Sequence, residues 1–156
     1  MAFQILLNVL LAFVWMLLQV SFDGATFVIG YLLGLFILFV FRRFFPSRFY
    51  IGRVIAIVHL LLVFLKELVL SNVDVLKLVL KPKLDIQPGI FALPIEVKKD
   101  WEITVLANLI TLTPGTLVID VDDGILYVHA VDLPNVEEAI QGIKDSFERL
   151  IREVSR

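Results

Sequence analysis

The sequence predicts a membrane protein with two transmembrane helices, an amphipathic interfacial helix that is a candidate third span, and a small C-terminal α+β domain. Three observations predict it. Hydrophobic residues make up 59% of the 156 positions, against roughly 45–50% in soluble domains. From Met1 to Phe41 the only charged residue is Asp23. Beyond Pro82 the long apolar runs give way to short β-branched segments bounded by Pro, Gly and Asp, the pattern of strands and turns. The chain therefore divides into residues 1–53, a transmembrane hairpin with a basic cytoplasmic junction; 54–83, an amphipathic membrane-associated helix; and 84–156, a cytoplasmic α+β domain.

The first span is Phe3 to Phe22. About 20 residues at 1.5 Å each cover a hydrocarbon core of roughly 30 Å. It lacks the basic start and the small-residue cleavage site of a signal peptide, and so reads as a retained helix. Gln4 and Gln19 lie near its ends, within reach of headgroups. Asn8 lies deeper and must face protein, because an unpaired amide in hydrocarbon is costly. Asp23-Gly24 supplies a turn. The second span, Ala25 to Phe41, is short at about 17 residues. Its Gly30 and Gly34, one turn apart, form a smooth strip for a close helix approach. The sequence leaves open whether the partner is the first helix or another chain.

Arg42, Arg43, Arg48 and Arg53 follow with no acid among them. They place this junction on the cytoplasmic side, and with it the N-terminus. Phe44, Phe45, Phe49 and Tyr50 are interleaved with the arginines and suit the headgroup layer of the lipid bilayer. So short a patch beside a span does not suit nucleic acid.

Val54 to Leu80 is the ambiguous segment. Val54 to Leu65 is only about 12 mostly apolar residues with His59 among them, too short to cross. Glu67, Ser71, Asp74, Lys77 and Lys81 then form one polar stripe at three-and-four spacing. An interfacial helix is favoured, because a crossing would bury charges and would put one basic flank on the wrong side.

In the tail, Ile90 to Val97 reads as an edge strand, with Pro94 keeping it at an edge. Asp100 can cap a helix running to about Leu112, so apolar that it must be buried. Thr113-Pro114-Gly115 ends it. Thr116 to Val121 and Ile125 to Val131 form a hairpin about Asp123-Gly124. Asn135, with Glu138 three residues on, opens the last helix. Val136, Ala139, Ile140, Ile143, Phe147, Leu150, Ile151 and Val154 make its apolar stripe. Glu137, Glu138, Lys144, Asp145, Glu148, Arg149 and Arg152 are expected to face water.

Chemistry is sparse. The chain has no cysteine, which removes disulfides, thiolate metal sites and cysteine nucleophiles. Asp120-x-Asp122-Asp123-Gly124 is one residue short of a calcium loop, and its twelfth position is Val131 rather than Glu. It reads as a hairpin turn. His59 and His129, the two histidines, sit in apolar surroundings with no nucleophile in a recognisable setting. No phosphate-cradling glycine loop and no zinc-binding H-E-x-x-H run is present. The sequence therefore points to no catalytic residue, no metal and no cofactor. The two confident spans hold no carboxylate, amine or imidazole that could carry a coupled ion. If the protein takes part in transport, other chains hold the ion pathway.

The run Ala107-Asn108-Leu109-Ile110-Thr111-Leu112-Thr113-Pro114-Gly115-Thr116, followed by Asp120 and then Leu126-Tyr127-Val128-His129, resembles the E subunit of the Mrp-type (Mnh) multisubunit Na+/H+ antiporters. The resemblance runs nearly end to end. It implies an accessory, non-catalytic member of a bacterial cell-membrane complex that exchanges sodium for protons and supports pH homeostasis. It also implies partners among other membrane subunits, including large ones like the proton-pumping subunits of respiratory complex I. The family gives this member no accepted catalytic residues. Within the motif, Asn108, Thr111, Thr113, Pro114 and Gly115 are expected to specify the fold of the tail, with Asn108 making a specific hydrogen bond. The competing reading is a membrane-tethered adaptor or regulator that binds through its cytoplasmic domain.

Overall fold

The computed structural model describes residues 2–45, 50–83 and 86–155. Arg48 and Phe49 lie outside them. The chain forms two compact units, residues 1–54 and 55–156.

In the first unit, α1 (Ala2–Gln19) and α2 (Gly24–Val40) form a hairpin. α1 stops three residues before the predicted Phe22, because Val20 turns the backbone to a φ of 52°. Asp23 is the N-cap of α2, its Oδ1 accepting from Thr26 N–H at 2.6 Å. That bond holds the Asp23 carboxyl below its ordinary pKa. α2 itself has 17 residues and runs into a 3-10 turn, Phe41–Phe44, that carries Arg42 and Arg43, so the continuous helix covers 21 residues. The buried positions of α1 are Gln4, Asn8, Ala12 and Met16, and those of α2 are Gly30, Gly34 and Leu38. Both rows repeat every four residues, the ridge spacing by which helices interdigitate.

α3 (Tyr50–Val79) is one helix of 30 residues, beginning four residues before the predicted Val54. Its first turn belongs to the first unit and the rest to the second. Lys81 lies beyond its end, so the predicted polar stripe stops at Lys77. Three helices, α1, α2 and α3, are long and apolar enough to cross a membrane.

The second unit adds β1 (Gly89–Pro94), α4 (Asp100–Leu112), β2 (Thr116–Asp122), β3 (Ile125–Ala130), α5 (Val136–Ile143) and α6 (Arg149–Ser155). A π-helical segment, Lys144–Glu148, joins α5 to α6. The sheet is antiparallel in the order β1-β3-β2. β1 is an edge strand, the place where Pro94 can lack an amide donor. The β2–β3 turn has positive φ at both Asp123 and Gly124, 40° and 77°, as the favoured two-residue hairpin requires. On β3, Leu126, Val128 and Ala130 alternate into the core. They meet Phe91 and Leu93 of β1, Leu106 and Ile110 of α4, and Phe147 and Ile151. Full burial of a large apolar side chain of this kind stabilises the fold by about 1.5–3 kcal/mol. From α3, Leu60, Val63 and Phe64 pack on this core.

Candidate functional site

The groups that can act are buried polar side chains, and they fall into two sets. The first holds the anchor together. Asn8 is fully buried, and its Nδ2 donates to the Tyr50 hydroxyl at 2.9 Å. The Tyr31 hydroxyl lies 3.1 Å from the same oxygen. Gln4 is also buried, and its Oε1 accepts from Tyr50 N–H at 3.0 Å. Tyr50 opens α3, where a backbone N–H has no partner within its own helix. Gln4 supplies one from another helix. One network thus ties α1, α2 and the first turn of α3.

The glycine strip belongs to this set, and the first helix is its partner. A Cβ on Gly30 would sit 2.9 Å from the Ala12 carbonyl oxygen, and one on Gly34 would collide with Asn8 Oδ1. Asn8 Oδ1 has no hydrogen-bond partner among the described residues. It lies against Gly34, where no space for a ligand remains. Sequence reasoning found Asn8, Gly30 and Gly34. It placed Gln4 and Tyr50 at the headgroups, and the structure corrects both. The signal was present: Gln4, Asn8, Ala12 and Met16 form one series at four-residue spacing.

Arg42 and Arg43 lie exposed in the 3-10 turn. The Arg42 guanidinium sits 4.7 Å over the Phe39 ring. Arg53 is half-buried in the first turn of α3.

The second set lies in the tail. The Ile110 carbonyl, at the C-terminal end of α4, accepts from the Thr113 and Thr116 hydroxyls, each at 2.7 Å. Such terminal carbonyls lack partners within the helix. Val118 N–H of β2 donates to Thr111 Oγ1 at 3.3 Å, so α4 covers part of the open sheet edge. Gly115 adopts a φ of 95°, a region that glycine enters freely. Its carbonyl accepts from Val131 N–H at 2.9 Å. Thr111, Thr113, Pro114 and Gly115 thus turn the chain from helix into hairpin. Asn108, expected to make a specific hydrogen bond, makes a local one. It is exposed and donates to Thr104 O, one turn back, at 2.9 Å.

Two buried carboxylates were not anticipated. Glu148, expected to face water, is buried, because the π-helical segment rotates it inward. Its Oε1 accepts from Glu96 N–H and Val97 N–H just after β1. Glu102 is buried too. Its Oε2 accepts from Lys98 N–H and Lys99 N–H at 3.1 and 3.2 Å, closing the start of α4. Lys99, rather than Asp100, is the N-cap. The Ser155 hydroxyl first, and the Lys99 backbone after it, lower the Glu102 pKa to about 2. Glu96 pairs with Arg152, and Lys144 lies 3.9 Å away. These contacts fasten the C-terminal helix to the rest of the tail. Among the described residues no three His, Asp or Glu side chains are placed to share a metal ion.

Residues 8–154 match a family model whose description is "Na+/H+ ion antiporter subunit". The chain is 58% identical to the E subunit of the Na(+)/H(+) antiporter of Bacillus subtilis and 52% identical to that of Alkalihalophilus pseudofirmus, each over the whole of both chains. Among solved structures it is similar to a chain of an archaeal respiratory membrane complex, the membrane-bound sulfane sulfur reductase. That match has a TM-score of 0.59 and 29% identity, and it covers 97% of this chain and 98% of the other.

Proposed function

The chain belongs to the family of Na+/H+ antiporter E subunits, and we propose that it assembles and braces the transport complex without carrying an ion itself. It is a membrane protein and one component of an antiporter. The buried polar groups of its anchor carry the rest of the proposal. Gln4, Asn8, Tyr31 and Tyr50 are linked to one another, and none is a carboxylate, amine or imidazole of the kind that relays ions in membranes. Two helices cannot enclose an aqueous path alone. The likeness to a chain of a sulfane sulfur reductase complex supports the same reading. A fold used in complexes of such different chemistry serves what they share, a membrane assembly. Other membrane subunits are the partners, large complex I-like subunits among them.

The proposed topology puts the N-terminus and the α+β domain in the cytoplasm, with α1 and α2 as the crossings. Arg42, Arg43 and Arg53 favour that side for the junction. α3 lies along the interface in this reading. Leu60, Val63 and Phe64 touch the tail core, so only Tyr50 to His59 precedes that contact. This stretch spans about 15 Å at 1.5 Å per residue, half of the roughly 30 Å needed. Exposed Leu61, Leu62, Leu65 and Val69 supply the lipid-facing side.

Co-purification tests the function. A tagged chain drawn from native membranes should bring large polytopic subunits with it; a stable solitary protein would refute the proposal. A single cysteine at exposed Glu153 tests the topology. It should be labelled only from the cytoplasmic side, and labelling from outside would show that α3 crosses.

A further inference from the structure

We propose that a cleft in the second unit, between α3 and α5, receives a basic, apolar-stemmed segment of a neighbouring membrane protein of the complex; this rests on the chain being part of a larger assembly. The cleft is about 370 Å³ in volume, room for roughly a dozen waters at about 30 Å³ each. Its floor is apolar, with Phe91, Ile143 and Phe147. Its charged members are Glu67, Asp132 and Glu138, and among the described residues no Lys, Arg or His lines it. An apolar floor beneath an all-acidic rim fits a Lys or Arg side chain, whose stem is apolar and whose head is cationic. A bare metal ion is a poorer fit, since the rim acids are not placed to share one.

Gly142 gives a second, independent argument. It lies within α5 and lines the cleft. A glycine inside a helix costs about 1 kcal/mol relative to alanine, and a fold commonly recovers that through a turn or a close approach. Neither applies here. Its φ is not positive, and an added Cβ would meet nothing within 4 Å. Gly30 and Gly34, by contrast, each face α1 at collision distance. The missing side chain at Gly142 keeps space open for a group from outside this chain.

The experiment uses the full chain in its native complex. The chain has no cysteine, so Ser71→Cys, on the α3 wall, can carry a maleimide-linked benzophenone as this chain's sole probe, the other subunits' thiols being blocked or removed. Illumination should join it to a peptide of another membrane protein of the complex, one containing Lys or Arg. Adding Gly142→Phe, which fills the cleft, or Glu67→Lys, which reverses rim charge, should lower the yield roughly tenfold, the equivalent of about 1.4 kcal/mol. Among the described residues Glu67 forms its ion pair with exposed Lys66, so its reversal leaves the fold intact. Adducts solely with lipid, with a second copy, or with yields indifferent to both substitutions would overturn the inference while the co-purifying subunits leave the assembly role standing. Loss of every co-purifying partner from the unsubstituted chain would instead refute the assembly role, and the inference with it.

Discussion

The anchor and the tail solve the same problem with opposite chemistry. Each must satisfy backbone N–H groups where an element begins or ends. In the anchor, Gln4, a neutral amide, accepts from Tyr50 N–H. In the tail, the carboxylates of Glu102 and Glu148 accept from the amides of Lys98, Lys99, Glu96 and Val97. A buried charge in hydrocarbon has no compensation from water or counter-charge. In the tail, Lys99 and Ser155 close over Glu102, and a carboxylate makes the stronger acceptor. Polarity is thus matched to composition: the apolar anchor keeps its buried polar contacts neutral, and the more polar tail buries charge.

Gly34→Leu breaks the anchor side of this comparison most severely. Its side chain would collide with Asn8, and overpacking of this kind costs about 1–3 kcal/mol or more. The hairpin should lose its closure, and recovery of the chain in the purified complex should fall sharply. The same measurement on Gly142→Ala should show no loss of fold, because that position is open.

Glu148→Ala tests the tail side. It leaves the amides of Glu96 and Val97 without their acceptor and should destabilise the tail by about 1–3 kcal/mol. A thermal melt of the full-length protein should show the drop. Glu148→Gln, which retains an acceptor oxygen, should recover part of it.

Glu102 adds a pH dependence. Its folded pKa, about 2, lies below the ordinary carboxyl value of about 4.3. Its contribution is therefore fully present above the ordinary value and is lost as pH falls from there toward 2. Melting temperature should decline over that window, and Glu102→Gln should flatten the decline.

Tyr50→Phe should have the smallest effect. It removes the hydroxyl shared by Asn8 and Tyr31 but keeps the backbone bond to Gln4. Hydrogen bonds between membrane helices average about 0.6 kcal/mol. Complex recovery should fall only slightly, whereas Gln4→Leu should lower it further.

Periodicity made much of this legible. The two apolar helices, the Asp123-Gly124 hairpin, the edge position of Pro94 and the Asn135 cap follow from local pattern and appear at or within a few residues of where the sequence puts them. What escaped depends on contacts across the fold. Glu148 sits on the polar side of an ideal helix, and only the π-helical segment turns it inward. Gln4 looks like a headgroup residue until the start of α3 is known to lie beside it. Asn108 was expected to make a hydrogen bond with no partner stated, and the partner is one turn back on its own helix. The strand order β1-β3-β2 was also beyond local pattern, because it is set by which edge α4 covers.

The central claim is that the chain assembles the complex and does not conduct. The most direct measurement is Na+/H+ exchange in membrane vesicles, normalised to the amount of assembled complex, for Asn8→Leu, Tyr50→Phe and His59→Gln. Exchange per assembled complex and the sodium concentration for half-maximal rate should stay unchanged, while total activity follows the amount assembled. A fully assembled complex with lost exchange, or with a shifted sodium dependence, would contradict that claim.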